Sequence, residues 1–215
     1  MLGESLDDLL ERIRAGLGGR TADAPIPPAL DAQLMRTTNG PELVETFVGR
    51  AAVVGTQVQQ LSIEELPRQL ANLLRGSRQA SLGFVDQELR TLVRAALETA
   101  GIMEARGDGH GMDVHFDSDV GITDVEAAIA ETGTLVYLTG AERPRAASFV
   151  APVHIALVRE QQLVADLVDY LAHQPVPAPS SELLITGPSK TADIEGVLIQ
   201  GVHGPGSVRV LLIRE

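Results

Sequence analysis

Three short segments hold most of the residues able to do chemistry. Glu131-Thr132-Gly133-Thr134 sets a carboxylate and two hydroxyls around a glycine, just before the apolar run Leu135-Val136-Tyr137-Leu138. A carboxylate there can act as acid, base or nucleophile, and the hydroxyls can orient a substrate carboxylate. Gly187-Pro188-Ser189-Lys190-Thr191-Ala192-Asp193 follows Leu183-Leu184-Ile185. Its glycine permits a tight turn, Ser189 or Thr191 can cap a following helix, and free amides at such a point favour an anion. Lys190 adds a full positive charge and is the only lysine among 17 basic residues. In Val202-His203-Gly204-Pro205-Gly206, an imidazole able to take or give a proton stands beside a glycine that allows close approach to a ligand. On spacing alone each segment is also an ordinary turn: a helix end with a glycine stop, a strand–turn–helix junction, and a turn with a surface histidine.

The remaining titratable clusters read more plainly. Asp113, His115 and Asp117 alternate like one face of a half-buried strand, with Asp119 nearby; two carboxylates and an imidazole can hold a divalent metal, but a solvated polar face gives the same pattern. No metal site is assigned. His154 lies within an apolar strand and reads as a hydrogen-bonded core residue, and His173 as a cation closing a helix. G-x-S-x-G, H-E-x-x-H and G-x-G-x-x-G are absent, and the Gly187 segment lacks the phosphate-loop spacing.

Alternating helices and short apolar runs must carry these groups. Residues 5–17 form an amphipathic helix with Leu6, Leu9, Leu10, Ile13 and Leu17 on one side. A proline-bearing arm follows, so the expected division is 1–35 as helix and arm and 36–215 as the main domain. In that domain we expect a helix from Pro41, a strand over Ala51–Val54 and on to Val58, and a helix near 63–75 whose start Pro67 can shift. A strand at Gln79–Phe84 and a helix at Asp86–Ala100 come next. Thr123 with Glu126 resembles a capping box opening a helix to about Ala130. Strands are expected at Thr134–Thr139 and Val153–Val158, a helix at Gln161–Ala172, and strands at Glu182–Thr186 and Val208–Ile213. The alternation indicates an α/β sheet flanked by helices, in which ligands collect at the carboxyl ends of strands. That rule selects the loops 130–134, 187–193 and 201–206.

Composition narrows the classes. The chain has 215 residues, 44% of them hydrophobic, enough for a full core. A net charge of −12 and only 3% aromatics disfavour phosphate backbones and base stacking. There is no cysteine, which excludes disulfides, a thiol nucleophile and clusters held by this chain's own thiolates. The start carries neither a cationic flank nor an apolar run, and no stretch is long enough for a bilayer span, so a cytoplasmic protein is expected.

At its loops the sequence resembles the LUD-domain family, particularly the small C-type subunits of bacterial lactate utilisation. The resemblance rests on Gly121-Ile122-Thr123-Asp124, on Ala127 through Thr134, and on Ile185 through Glu195 continued by Gly201-Val202-His203-Gly204-Pro205; it covers about 36–215. It implies a three-layer α/β fold with helices on both faces, like that of ribose-5-phosphate isomerase and CoA transferases. It also implies a part in oxidising L-lactate to pyruvate with iron–sulfur partner subunits. Under that reading Glu131 and His203 are the catalytic candidates. Thr132, Gly133, Thr134, Gly187, Ser189, Lys190, Thr191, Asp193 and Gly204 would meet a small carboxylate. The alternative is a stand-alone enzyme or binding protein for a phosphorylated, CoA-linked or carboxylate metabolite.

Overall fold

Six strands pair only in parallel, so their sheet has one amino edge and one carboxyl edge. In chain order they are β1 (Gln57–Ser62), β2 (Gln79–Gly83), β3 (Met103–Glu104), β4 (Val120–Asp124), β7 (Val153–Arg159) and β12 (Ser207–Arg214). Their order across the sheet is β1-β12-β7-β4-β2-β3. A second sheet, ordered β8-β5-β6-β9, is built from β5 (Ala127–Ile129), β6 (Thr134–Leu138), β8 (Leu163–Val164) and β9 (Glu182–Ile185). A separate hairpin pairs β10 (Lys190–Ala192) with β11 (Leu198–Gln200). This computed structural model describes residues 6–16, 42–105, 113–173, 179, 181–192 and 198–214.

Three layers result, as the fold expectation required. Helices α3 (Leu66–Leu73) and α4 (Gln87–Ala100) cover one face of the parallel sheet, where Leu70, Leu74, Leu89, Val93 and Leu97 meet Leu82, Ile122, Ile155 and Leu211. Asp86 starts α4 by accepting the Leu89 amide at 3.0 Å, and Gly101, in the left-handed region, ends it. The other face carries α2 (Leu43–Val54), α6 (Ala146–Phe149) and the second sheet. There Phe47 and Ala51 pack with Val210, Leu212, Val158, Leu135 and Ala128. β4 is buried along its whole length, which is why its residues run without alternation. The chain divides into two units, Met1–Met35 and Arg36–Glu215. The first contains α1 (Leu6–Gly16), whose residues are all exposed.

Several local expectations are overturned by packing. Ala51–Val54 is the last turn of α2 rather than a strand, because Ala51 is a core contact and Gly55 (φ 93°) stops the helix only there. Thr123 and Glu126 open no helix. Thr123 sits in β4 on His154, and Glu126 leads into β5 while pairing with Arg143. The stretch 161–172 breaks into a 3₁₀ turn (Glu160–Gln162), β8, and α7 (Leu167–Ala172), which starts afresh at the Asp166 cap. Asp113–Phe116 is one helical turn, α5, not a strand, and His115 Nδ1 lies 2.6 Å from Ser81 Oγ.

His154 was expected in the core and lies there fully buried, its Nε2 2.9 Å from Thr123 Oγ1 and its Nδ1 without a partner among the described residues. Burial lowers its pKa from the ordinary 6.5 to about 4. The unfolded chain therefore binds the proton first, so stability is full above pH 6.5 and falls as pH drops toward 4. Urea unfolding at pH 7 and pH 4.5 should show about 2–3 kcal/mol of acid loss that His154→Gln abolishes. An equal acid loss in the variant would contradict this.

Candidate functional site

The direction of β2, β4 and β7 decides where a ligand has room. From β2 the chain moves outward to β3, and from β4 it moves the other way to β7. The sheet order therefore reverses between β2 and β4, where doubly wound folds open a crevice at the carboxyl edge. Here that place is filled by the protein's own charges. Asp124, at the end of β4, accepts the amides of Val85 and Asp86 on one oxygen, each at 2.8 Å. Its other oxygen takes Arg143 Nε at 2.6 Å. Arg143 also donates to Glu126 at 3.0 Å and to the Val125 carbonyl at 3.1 Å. Next to it, Arg159 bonds Asp86 at 2.8 Å and Glu88 at 2.7 Å. The hydrogen bond it donates to Asp86 holds the Arg159 guanidinium above its ordinary pKa. The anion position at this switch point is thus occupied by the Asp124 carboxylate.

The three segments singled out in the sequence come together at the opposite, amino edge of the parallel sheet. This corrects the expected carboxyl-edge placement: loop 201–206 precedes β12 instead of following a strand of that sheet, and Gly206 N–H bonds Pro152 O at 2.9 Å just before β7. The cluster surrounds the last turn of α2. Gly133 (φ 67°) lies so close that a Cβ would overlap the backbone nitrogen of Ala51 and stand 2.6 Å from its Cα. At Gly187 (φ 80°) a Cβ would stand 2.5 Å from the Val54 carbonyl oxygen. Only glycine fits either place. The two turns are joined by hydroxyls, with Thr132 Oγ1 2.7 Å from Thr134 Oγ1 and Thr134 Oγ1 2.8 Å from Thr186 Oγ1.

Lys190 has a structural partner. Its Nζ donates to Val54 O at 3.1 Å, where an ammonium offsets the negative end of α2. The amides expected to be free are engaged, because Ser189 and Thr191 do not start a helix. Ser189 N–H bonds Pro205 O at 2.9 Å, and Thr191 pairs with Ile199 in the hairpin. Gly204 is pressed on Ser189, a Cβ there falling 3.1 Å from the Ser189 Cβ. His203 is exposed on the same loop, and Glu131 is half-exposed with its N–H on Ala165 O at 3.0 Å. Asp193 lies outside the described residues. Sequence reasoning missed Thr56, Thr186 and the Val54 carbonyl. Thr56, directly after Gly55, is buried and its Oγ1 has no partner among the described residues.

With this geometry in hand, the relationship to known proteins is direct. The LUD domain model matches residues 42–213. The chain belongs to the LUD-domain family. Lactate utilization protein C of Exiguobacterium sp. is 27% identical to this LUD protein, covering 97% of this chain and 96% of its own. The protein of the same name from Deinococcus radiodurans is 28% identical, covering 96% and 94%. The one from Bacillus subtilis is 35% identical over 46% of this chain and 43% of its own. A crystal structure of a DUF162 family protein from Deinococcus radiodurans shares the fold, with a TM-score of 0.56 at 20% identity, covering 82% of this chain and 99% of that one. Among the described residues of this LUD domain, no helix is long and apolar enough to cross a membrane. None of their His, Asp and Glu side chains form a group of three able to hold a metal. With no cysteine in the sequence, an iron–sulfur cluster does not fit these residues.

Proposed function

We propose that this LUD protein takes part in the oxidation of L-lactate to pyruvate in the cytoplasm, as one subunit beside iron–sulfur partners. One observation carries the reading: proteins named lactate utilization protein C align with the chain over nearly its whole length, not over a shared module alone. The chemistry agrees with a division of labour. Converting the CH–OH of lactate to C=O breaks one C–H and one O–H bond and releases two protons and two electrons. This sequence offers no thiolate to hold a cluster, and clusters on partner chains would take the electrons.

The chain's own part lies at the amino edge. A small carboxylate meets the exposed ammonium of Lys190, which is already oriented by Val54 O. The exposed Thr132, hydrogen-bonded to the buried Thr134, lines the approach, and Glu131 or His203 accepts the hydroxyl proton. The test is cell-free L-lactate oxidation in extracts of a strain lacking this gene. We expect the rate to fall to background and to return with the wild-type gene. An unchanged rate would reject the reading.

A further inference from the structure

We propose that the cleft between β1, β12 and the end of α3 is a binding site for a phosphate group, held by Arg209 with Gln57 and Gln59. It lies on the sheet face covered by α3 and α4, whereas the loops of the lactate reading pack on α2, which covers the other face. The proposal stands whether or not lactate is the substrate.

Strand register places the side chains. Gln57 is the Cα partner of Arg209, and Gln59 that of Leu211. Residues two apart on a strand share a face, so Arg209 stands on the side of Leu211 and Ile213, and Gln57 and Gln59 on the side of Leu61. Leu211, Ile213 and Leu61 all pack with α3 and α4, which makes this one common face. Leu73, the last residue of α3, closes the space above it, and with Gln57, Gln59, Arg209 and Leu211 it lines a cleft of about 220 Å³. Sites for drug-sized ligands occupy roughly 300–1,000 Å³, so this one suits a single small group.

The charge in the cleft has no counter-ion. The chain carries 29 Asp and Glu, and Arg78, Arg90, Arg94, Arg143 and Arg159 each pair with one of them. Arg209 makes neither an ion pair nor a side-chain hydrogen bond among the described residues, and no acid lines the cleft. The side chain is half-buried. Its Nε is enclosed without a partner, out of reach of a ligand, while the two Nη groups are not enclosed and offer four N–H donors. A guanidinium drawn this far from water without an opposite charge is costly, and an anion on its Nη groups offsets that cost.

The neighbours select the anion. The guanidinium comes from β12 and the two carboxamides from β1, about 5 Å away in the pairing direction. A planar carboxylate fills a guanidinium fork with its two oxygens and leaves both carboxamides unused. A tetrahedral dianion has oxygens for all three side chains. Free phosphate and the phosphate of an organic ester both present this group.

The test titrates inorganic phosphate, glycerol phosphate and acetate into the purified full chain by calorimetry at about pH 8, where phosphate is a dianion. Phosphate should bind saturably and at least about tenfold more tightly than acetate. Arg209→Gln should weaken phosphate at least about tenfold, and Gln57→Ala about threefold. Gln59→Glu brings a like charge into the cleft at an exposed position and should also cost about tenfold. Gln60→Glu adds the same charge one residue on, at an exposed position on the opposite face, and should change affinity less than about twofold. Should Arg209→Gln not fold, the contrast between Gln59→Glu and Gln60→Glu carries the test. Tighter binding of glycerol phosphate than of phosphate assigns the site to an organic ester, and equal or weaker binding assigns it to the free ion; either upholds the site. No saturable phosphate binding, acetate held as tightly as phosphate, or equal losses in Gln59→Glu and Gln60→Glu would overturn the proposal.

Discussion

Replacing Arg143 by Met should lower the unfolding free energy by about 3–5 kcal/mol, because it strands a buried carboxylate. Asp124 is 1% exposed, and Arg143 is its only charged partner among the contacts described. The attraction between them is not itself a large net gain, since both charges were taken out of water; the cost comes from removing one partner. A second change separates these effects. Asp124→Asn in the Arg143→Met background removes the stranded charge while an amide oxygen still accepts from Val85 and Asp86. The double variant should therefore recover at least about 1 kcal/mol. Urea unfolding of the three proteins at pH 7 checks this. A loss below about 1 kcal/mol in Arg143→Met would show that the carboxyl edge is not sealed by this pair.

Gly133→Ala should cost about 2–4 kcal/mol, combining a left-handed backbone with direct overlap on α2. The added Cβ would meet the Ala51 backbone, which cannot swing aside as a side chain could. Gly140→Ala is the control, since a Cβ there meets nothing within 4 Å and φ is not positive. It should change stability by less than about 0.5 kcal/mol. Thermal unfolding of the pair measures both. Full stability in Gly133→Ala would mean that the turn does not rest on α2.

How much of this was legible in the sequence follows from what each residue reports. Helix α4 was readable from end to end because its cap Asp86, its apolar stripe and its terminal Gly101 all lie within the helix's own residues. The last turn of α2 was misread because Val53 and Val54 carry strand propensity, while the deciding contact, Phe47 and Ala51 against β12 and β6, is remote in sequence. Thr123-Asp124-Val125-Glu126 imitates a helix cap because the same polar side chains serve a cap and a strand end. What settles it is His154 and Arg143, 31 and 19 residues away. The candidate segments do touch one another, but the edge of the sheet they share was not legible. Loop 201–206 looks like a strand-exit loop until β12 is known to run parallel to β7. Nothing local marks Thr56 either, since its orphan hydroxyl is a property of its surroundings.

The central claim is participation in L-lactate oxidation with iron–sulfur partners, and it is tested most directly by purification from lactate-grown cells. The tagged full-length chain is isolated, its co-purifying proteins and iron are measured, and lactate-dependent reduction of an artificial electron acceptor is followed with this chain present and selectively omitted. The account predicts cysteine-rich partners, iron in the complex but not in this chain, and oxidation that requires the chain. A chain isolated alone, without iron-bearing partners, and dispensable for lactate oxidation would contradict it.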